Sequence, residues 1–245
     1  MTPALAIHEA WRRLAGVPVL QDLTVSVDPG ECRALVGMNG AGKSTALRAM
    51  LGLLRLDHGT VHLLGHDVQA PHREFWSRIG YLVETPFCYP ELTARENIQF
   101  AARLRGVDPR SADGRCEALS EALGLTRWLD RPARRLSLGT RQKVGLIAAL
   151  AHRPRLVLLD EPTNGLDPLA VVALRRILTD LTHAGTAVLV TGHHLDEIAR
   201  LAGQVDVLHH GRIIDTLSSQ GTDLERAFFE IVLAAETSRL PEQPQ

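Results

Sequence analysis

Lysine is nearly missing from this chain. Of the 27 Lys and Arg residues among 245, only Lys43 and Lys143 are lysines. A position that stays lysine where arginine is otherwise used is a candidate for chemistry that a forked, planar guanidinium cannot perform. Cysteine is scarce as well: Cys32, Cys88 and Cys116 are odd in number and lack any CxxC spacing. That excludes a disulfide framework, speaks against a cysteine-rich zinc site, and points to a reducing compartment. Charge of one sign is missing too. A net charge of -1 provides no basic field to hold nucleic acid by electrostatics. No run approaches the roughly 18 apolar residues that a membrane helix needs. The start, MTPALAIHEAW, has no basic stretch leading into an apolar one, so no signal peptide is read there. These absences predict a cytoplasmic protein, at a membrane only where a partner holds it.

What remains, 45% hydrophobic and 22% charged residues, suits an ordinary globular domain with enough length for a sizeable core. Val17 to Glu31 alternates apolar residues and closes with Asp28-Pro29-Gly30, a strand and turn. CRALVG (Cys32 to Gly37) reads as a buried strand, and Ser44 to Leu56 carries apolar residues at helical spacing. A hairpin is expected over Gly59 to Val68 and another strand over Ile79 to Glu84. From Leu92 to Leu150 the pattern is helical and rich in arginine, interrupted at Asp108-Pro109 and Arg131-Pro132. Buried strands return at Leu156 to Asp160 and Ala187 to Gly192, with a helix around Leu169 to Thr182 between them. Strand, helix and strand in that order predict an α/β fold with a parallel sheet. The expected layout is one domain over residues 1–245. Its core spans about 1–84 and 155–232, its inserted helical subdomain about 85–154, and its polar tail 233–245. An N-terminal antiparallel β portion is expected within the core.

GMNGAGKS (Gly37 to Ser44) fits the phosphate-loop pattern G-x-x-x-x-G-K-[ST], after a strand and opening a helix. Backbone N–H groups of Gly37, Met38, Asn39, Gly40, Ala41 and Gly42 are expected to surround the phosphates of ATP. The helix that begins there, with Lys43, Ser44 and Thr45, presents its positive end to the same anion. Lys43 is a slim point charge suited to the β- and γ-phosphates, and the Ser44 hydroxyl is a ligand for Mg²⁺. A chance glycine turn carrying a lysine is the alternative, which the strand and helix on either side disfavour.

LVLLDEP (Leu156 to Pro162) runs four apolar residues into two acids, and ligands of parallel sheets sit beyond the strands' carboxyl ends. Asp160 is expected to hold the Mg²⁺, and Glu161 to orient or deprotonate the water that attacks the γ-phosphate. Two acids merely opening a solvated loop are the alternative.

Together these residues resemble the ABC (ATP-binding cassette) ATPase family from about Val17 to Val232. LSLGTRQK (Leu136 to Lys143) is similar to the family signature. The resemblance implies that Leu136, Ser137 and Gly139 face an ATP held by a second cassette, a two-fold sandwich. NGLDP (Asn164 to Pro168) is similar to the segment in which Asp167 contacts that partner. TGHHLDE (Thr191 to Glu197) places His193 as the histidine that reaches the γ-phosphate. His194, His209 and His210 are assigned surface or core roles, and with no HExxH spacing no zinc is expected.

Four positions depart from the family pattern. Leu138 stands where glycine is usual, and Thr140 where glutamine is common. Glu84 replaces the glutamine that touches Mg²⁺ and is expected as a further metal ligand; followed by the proline-aromatic segment Pro86 to Ile98, it resembles the bacitracin and lantibiotic branch of antibiotic export and resistance. At the position that stacks on adenine stands Leu14, with Trp11 three residues earlier; either Trp11 covers the base or apolar contact alone does. The resemblance implies an ATP hydrolase that drives export through a separate transmembrane permease subunit, paired with a second copy or a paralogous cassette. It also implies a place on the inner face of the cell membrane. The alternatives are a soluble ATPase acting on nucleic acid or ribosomes, which the near-neutral charge disfavours, and a weakly hydrolysing regulatory subunit, which Glu161 and His193 disfavour.

Overall fold

The computed structural model describes residues 2–70, 73–84, 86, 88–219 and 223–237. The chain opens with a long hairpin, β1 (Leu5–Leu14) and β2 (Val17–Val27), closed by Ala15 and Gly16, both at positive φ. Then come β3 (Cys32–Val36), α1 (Lys43–Met50), β4 (His58–Leu63), β5 (His66–Asp67), α2 (Arg73–Trp76) and β6 (Ile79–Leu82). The helical part holds α3 (Ala94–Leu104), α4 (Pro109–Ala122) and α5 (Leu138–Leu150). The chain returns through β7 (Leu156–Leu159), α6 (Pro168–His183), β8 (Ala187–Gly192), α7 (Leu195–Ala199), β9 (Gln204–His209), β10 (Arg212–Ser218) and α8 (Leu224–Thr237).

Two sheets result, a four-stranded antiparallel one in the order β2-β1-β4-β5 and a six-stranded one in the order β10-β9-β3-β8-β7-β6. In the larger sheet every pairing from β9 to β6 is parallel, and only β10 runs against its neighbour. Its central strands are buried on both faces, which is why they read as unbroken apolar runs. Alternate residues enter two different cores. Leu35, Leu156, Leu158 and Leu189 pack with the antiparallel sheet and α1. Ala34, Val157, Leu159, Val188 and Val190 pack with α5, α6 and α8.

Local signals explain the helix starts. Thr93 and Glu96 form a reciprocal capping box at the head of α3, and the hydroxyl of Ser137 caps α5 by accepting from the Thr140 N–H. Buried Asn97 fixes the segment that leads out of β6: its Oδ1 accepts from Tyr89 N–H at 2.7 Å, and its amide donates to the carbonyls of Tyr89, Leu92 and Thr93.

Several expectations need revision. Helix α1 stops at Met50 rather than continuing to Leu56, because Gly52 at φ 67° turns the chain and the Leu53 and Leu54 N–H groups return to the Arg48 carbonyl. Strand β6 stops at Leu82, and Glu84 lies beyond it at φ 63°. Helix α8 runs through Thr237, so the stretch expected as a polar tail from 233 begins as helix; residues 238–245 lie outside the described part. The β9–β10 hairpin was not anticipated at all. Among the described residues no helix is long and apolar enough to cross a membrane.

Candidate functional site

Three adjacent parallel strands, β3, β8 and β7, deliver the site at their carboxyl ends. The register sets Leu35 opposite Thr191, Val36 opposite Gly192, and Leu159 opposite Val190. Thr191 of β8 and Asp160, just past β7, therefore emerge at the same level, beside the end of β3 from which the loop at Gly37 departs. From β3 the loop Gly37–Gly42 leads into α1, with Met38, Asn39 and Gly40 exposed and Ala41, Gly42 and Lys43 buried. Gly42 sits at φ 110°, which only glycine adopts without strain, and an added Cβ would fall 2.9 Å from the Val19 carbonyl. Ser44 and Thr45 follow on the first turn of α1, half-buried.

The Lys43 ammonium lies inside this loop, 7% exposed, donating to the Gly37 carbonyl at 2.7 Å. Burial pushes its pKa down, and the carboxylates of Glu161 and Asp160 oppose that shift. Asp160, itself 7% exposed, accepts from the Thr191 hydroxyl at 2.5 Å. The same hydroxyl accepts from the Glu161 N–H at 3.0 Å. Thr191 is fully buried, so one hydroxyl fixes both acids of the β7 end. Glu161 stands at φ 45°, and both of its carboxylate oxygens are held. Oε1 lies 3.1 Å from His193 Nδ1, and Oε2 accepts from the Asn164 amide. The structure thus gathers Lys43, Asp160, Glu161 and His193 into one constellation. Thr191 and Asn164, to which sequence reasoning gave no role, hold it in place. Both lie within quoted motifs, but only the strand register and the turn after β7 reveal what they touch.

Glu84 is turned elsewhere. It forms an ion pair with Arg48 on the outer face of α1, and its side chain is half exposed. Trp11 is 39% exposed on β1, where its strand partner is His58 of β4 and its carbonyl accepts from Asp57 N–H. The tip of the β1–β2 hairpin, with half-buried Leu14 and exposed Val17, is instead the part continuous with Val19, whose carbonyl adjoins Gly42.

The signature segment lies at the head of α5. Ser137 is exposed, its Oγ 2.8 Å from Thr140 Oγ1, whereas Leu136 is 6% exposed and belongs to the core. The Leu136 side chain is therefore packing, and only its backbone is left to meet a second molecule. Gly139 touches the turn after β7 so closely that a Cβ would stand 2.1 Å from the Gly165 carbonyl. Asp167 caps α6 by accepting from Ala170 N–H at 3.0 Å, and it pairs with Lys143 at 2.6 Å. Those two partners hold its carboxyl below the usual range. The second of the two lysines is thus a strut between α5 and α6.

A groove of about 490 Å³ runs between the core and the helical part, lined by Trp76, Tyr81, Pro86, Tyr89, Phe100 and Leu104 among others. Tyr89 and Phe100 meet edge to face at 4.9 Å, and Leu104 is 66% exposed. The groove is thus an apolar, largely aromatic surface left open to solvent.

The family model described as "ABC transporter" matches residues 20–164. An ABC transporter ATP-binding protein of Bacillus subtilis (strain 168) is 35% identical over 232 residues, 94% of this chain and 74% of the relative. The bacitracin transport ATP-binding protein of Enterococcus faecalis is 36% identical over 82% of this chain, which spans 64% of that protein. A lantibiotic transport ATP-binding protein of Streptococcus pyogenes is 31% identical, covering 88% of this chain and 91% of its own length. Among solved structures, an ATP-binding subunit of an ABC transporter superposes with a TM-score of 0.87 at 30% identity, over 94% of this chain and all of that one.

Proposed function

The chain belongs to the ABC transporter family, and on that premise we propose that it is the ATP-hydrolysing subunit of an exporter for a peptide antibiotic or similar amphiphile. The observation that carries the hydrolytic reading is the doubly held Glu161 carboxylate beside Lys43. In this reading the loop Gly37–Gly42 and Lys43 bind the phosphates. Glu161 orients the attacking water and takes its proton, with His193 and Asn164 keeping its two oxygens in line. His193, beside Glu161, is assigned as a donor to the γ-phosphate. The donor set fits a hard divalent cation: Asp160 is a nearly buried carboxylate whose charge acts on Lys43, the residue before Ser44, and both Asp160 and the Ser44 hydroxyl offer oxygen alone. Ser44 and Asp160 are the residues that would hold Mg²⁺, whose contribution is to neutralise charge on the phosphates.

Glu84 becomes a further metal ligand only if its pair with Arg48 opens, and we assign it that role in the closed, ATP-bound form. Adenine lies against the β1–β2 hairpin, with Trp11 and Leu14 as the two alternatives. Ser137 and Gly139 meet the ATP of a second cassette, and Asp167 lies at that junction. The aromatic groove receives a cytoplasmic helix of a separate permease subunit, laid in by its apolar face. That places the chain at the inner face of the membrane. A Nod factor export relative, 38% identical over 80% of this chain, supports the export direction, and the bacitracin and lantibiotic transport relatives support the class of cargo.

Steady-state phosphate release with Mg²⁺ and ATP tests the reading. Glu161→Gln is expected to keep ATP binding and to lose about 10²–10⁴-fold in turnover. Unchanged turnover in that variant would remove Glu161 from the mechanism.

A further inference from the structure

The β9–β10 hairpin closes with His210 and Gly211, at φ 46° and 80°. Two successive positive φ values make the tight turn that suits the twist of a hairpin, and a histidine there is an unusual occupant. In an extended strand His209 and His210 would point to opposite faces. The left-handed turn brings them to the same side, ring centroids 4.3 Å apart. Glu236, near the end of α8, reaches both: its Oε1 lies 3.1 Å from His209 Nε2 and 3.2 Å from His210 Nε2. The three ligand atoms all lie within 4.8 Å of one another.

We propose that His209, His210 and Glu236 form a binding site for a divalent transition-metal ion of the zinc type. Ligand atoms about 2.1 Å from a tetrahedral ion stand roughly 3.4 Å apart, so the observed 3.1 and 3.2 Å need only a small expansion. Two imidazoles and one carboxylate suit Zn²⁺, Co²⁺ or Ni²⁺ rather than Mg²⁺. His209 is 4% exposed, whereas His210 and Glu236 have side chains about half exposed. The site therefore has a fixed wall and an open mouth, which leaves a fourth position for water or another ligand. No motif spacing announced it, because the carboxylate comes 26 residues after His210 on a separate element.

The position gives the ion a structural consequence. The Gly211 N–H donates to the Ala41 carbonyl of the phosphate loop at 2.9 Å, and the His210 carbonyl accepts from the Gln21 amide at 2.8 Å. An ion held here ties α8 to the turn that backs the ATP loop. Calorimetric titration of the nucleotide-free protein with Zn²⁺ tests the site. Wild type is expected to bind a single equivalent and to gain thermal stability with it. His210→Ala and Glu236→Gln, both at half-exposed positions, are expected to lose at least tenfold in affinity together with the thermal gain, while ATP binding persists. Asp160→Asn, which disables the proposed Mg²⁺ site, is expected to bind Zn²⁺ as wild type does. Wild type that binds no Zn²⁺, or variants at 210 and 236 that bind it undiminished, would overturn the proposal.

Discussion

Thr191 is a small, fully buried side chain between the two acids of the β7 end. Its hydroxyl donates to Asp160 and accepts from the Glu161 N–H, so the acids proposed for the metal and for the attacking water share one positioning group. Thr191→Val keeps the shape and removes both bonds, leaving a backbone N–H without its partner at a cost of about 1–3 kcal/mol. We expect a lower melting temperature and a fall in turnover on the order of 10²-fold, the scale of an ångström's misplacement. Phosphate release and a thermal melt on the same preparation check both. Glu84 separates two roles at the same scale. Its partner is Arg48, so Glu84→Gln frees that guanidinium and, on the metal role proposed for the ATP-bound form, also removes a charged ligand. We expect the Mg²⁺ concentration for half-maximal ATPase activity to rise; titrations that superimpose on wild type would confine Glu84 to the Arg48 pair. Lys43, Asp160 and Glu161 were legible in the sequence because each sits in a short motif whose spacing is the chemistry. Thr191, Asn164 and the cluster at His209 were not, because their partners are set by strand register or by a distant helix.

At the scale of elements, the junction between α5 and β6 carries a titratable group. His152, two residues past the end of α5, lies 3.1 Å from the Ile79 carbonyl at the start of β6. Burial, with the charges of Arg105 and Arg115, lowers its pKa from 6.5 to about 4. Above pH 6.5 the imidazole is neutral folded or unfolded and adds no pH dependence. Between pH 6.5 and about 4 the unfolded chain takes up a proton that the folded chain refuses, so stability falls as pH falls. His152→Gln should flatten the melting-temperature profile across that window, and a profile as steep as wild type would assign the slope to other groups. The buried strands of the main sheet were readable from the sequence because both of their faces are covered, which leaves a continuous apolar run. Helix α1 was overextended for a related reason: the apolar residues Leu53, Leu54 and Leu56 continue the helical spacing, and Gly52 ends the helix through backbone geometry that the spacing does not encode. The β9–β10 turn escaped notice because His-Gly is not a usual turn pair.

For the whole molecule, a nucleotide-site face and an open aromatic groove lie on a single chain, and the proposed export function uses both. Phe100→Asp places a charge in the aromatic groove without touching the ATP site. We expect the isolated variant to hydrolyse ATP as wild type does but to lose co-purification with the permease subunit; retained co-purification would move the docking surface elsewhere. Hydrolysis is proposed to occur between two cassettes, each offering Ser137 and Gly139 to the other's ATP. Size-exclusion chromatography with light scattering on Glu161→Gln, with and without Mg²⁺ and ATP, tests it most directly. The account predicts a dimer that forms only with nucleotide and that disappears when Ser137→Arg is added. A protein that stays monomeric with saturating ATP bound, or a dimer indifferent to Ser137→Arg, would contradict it.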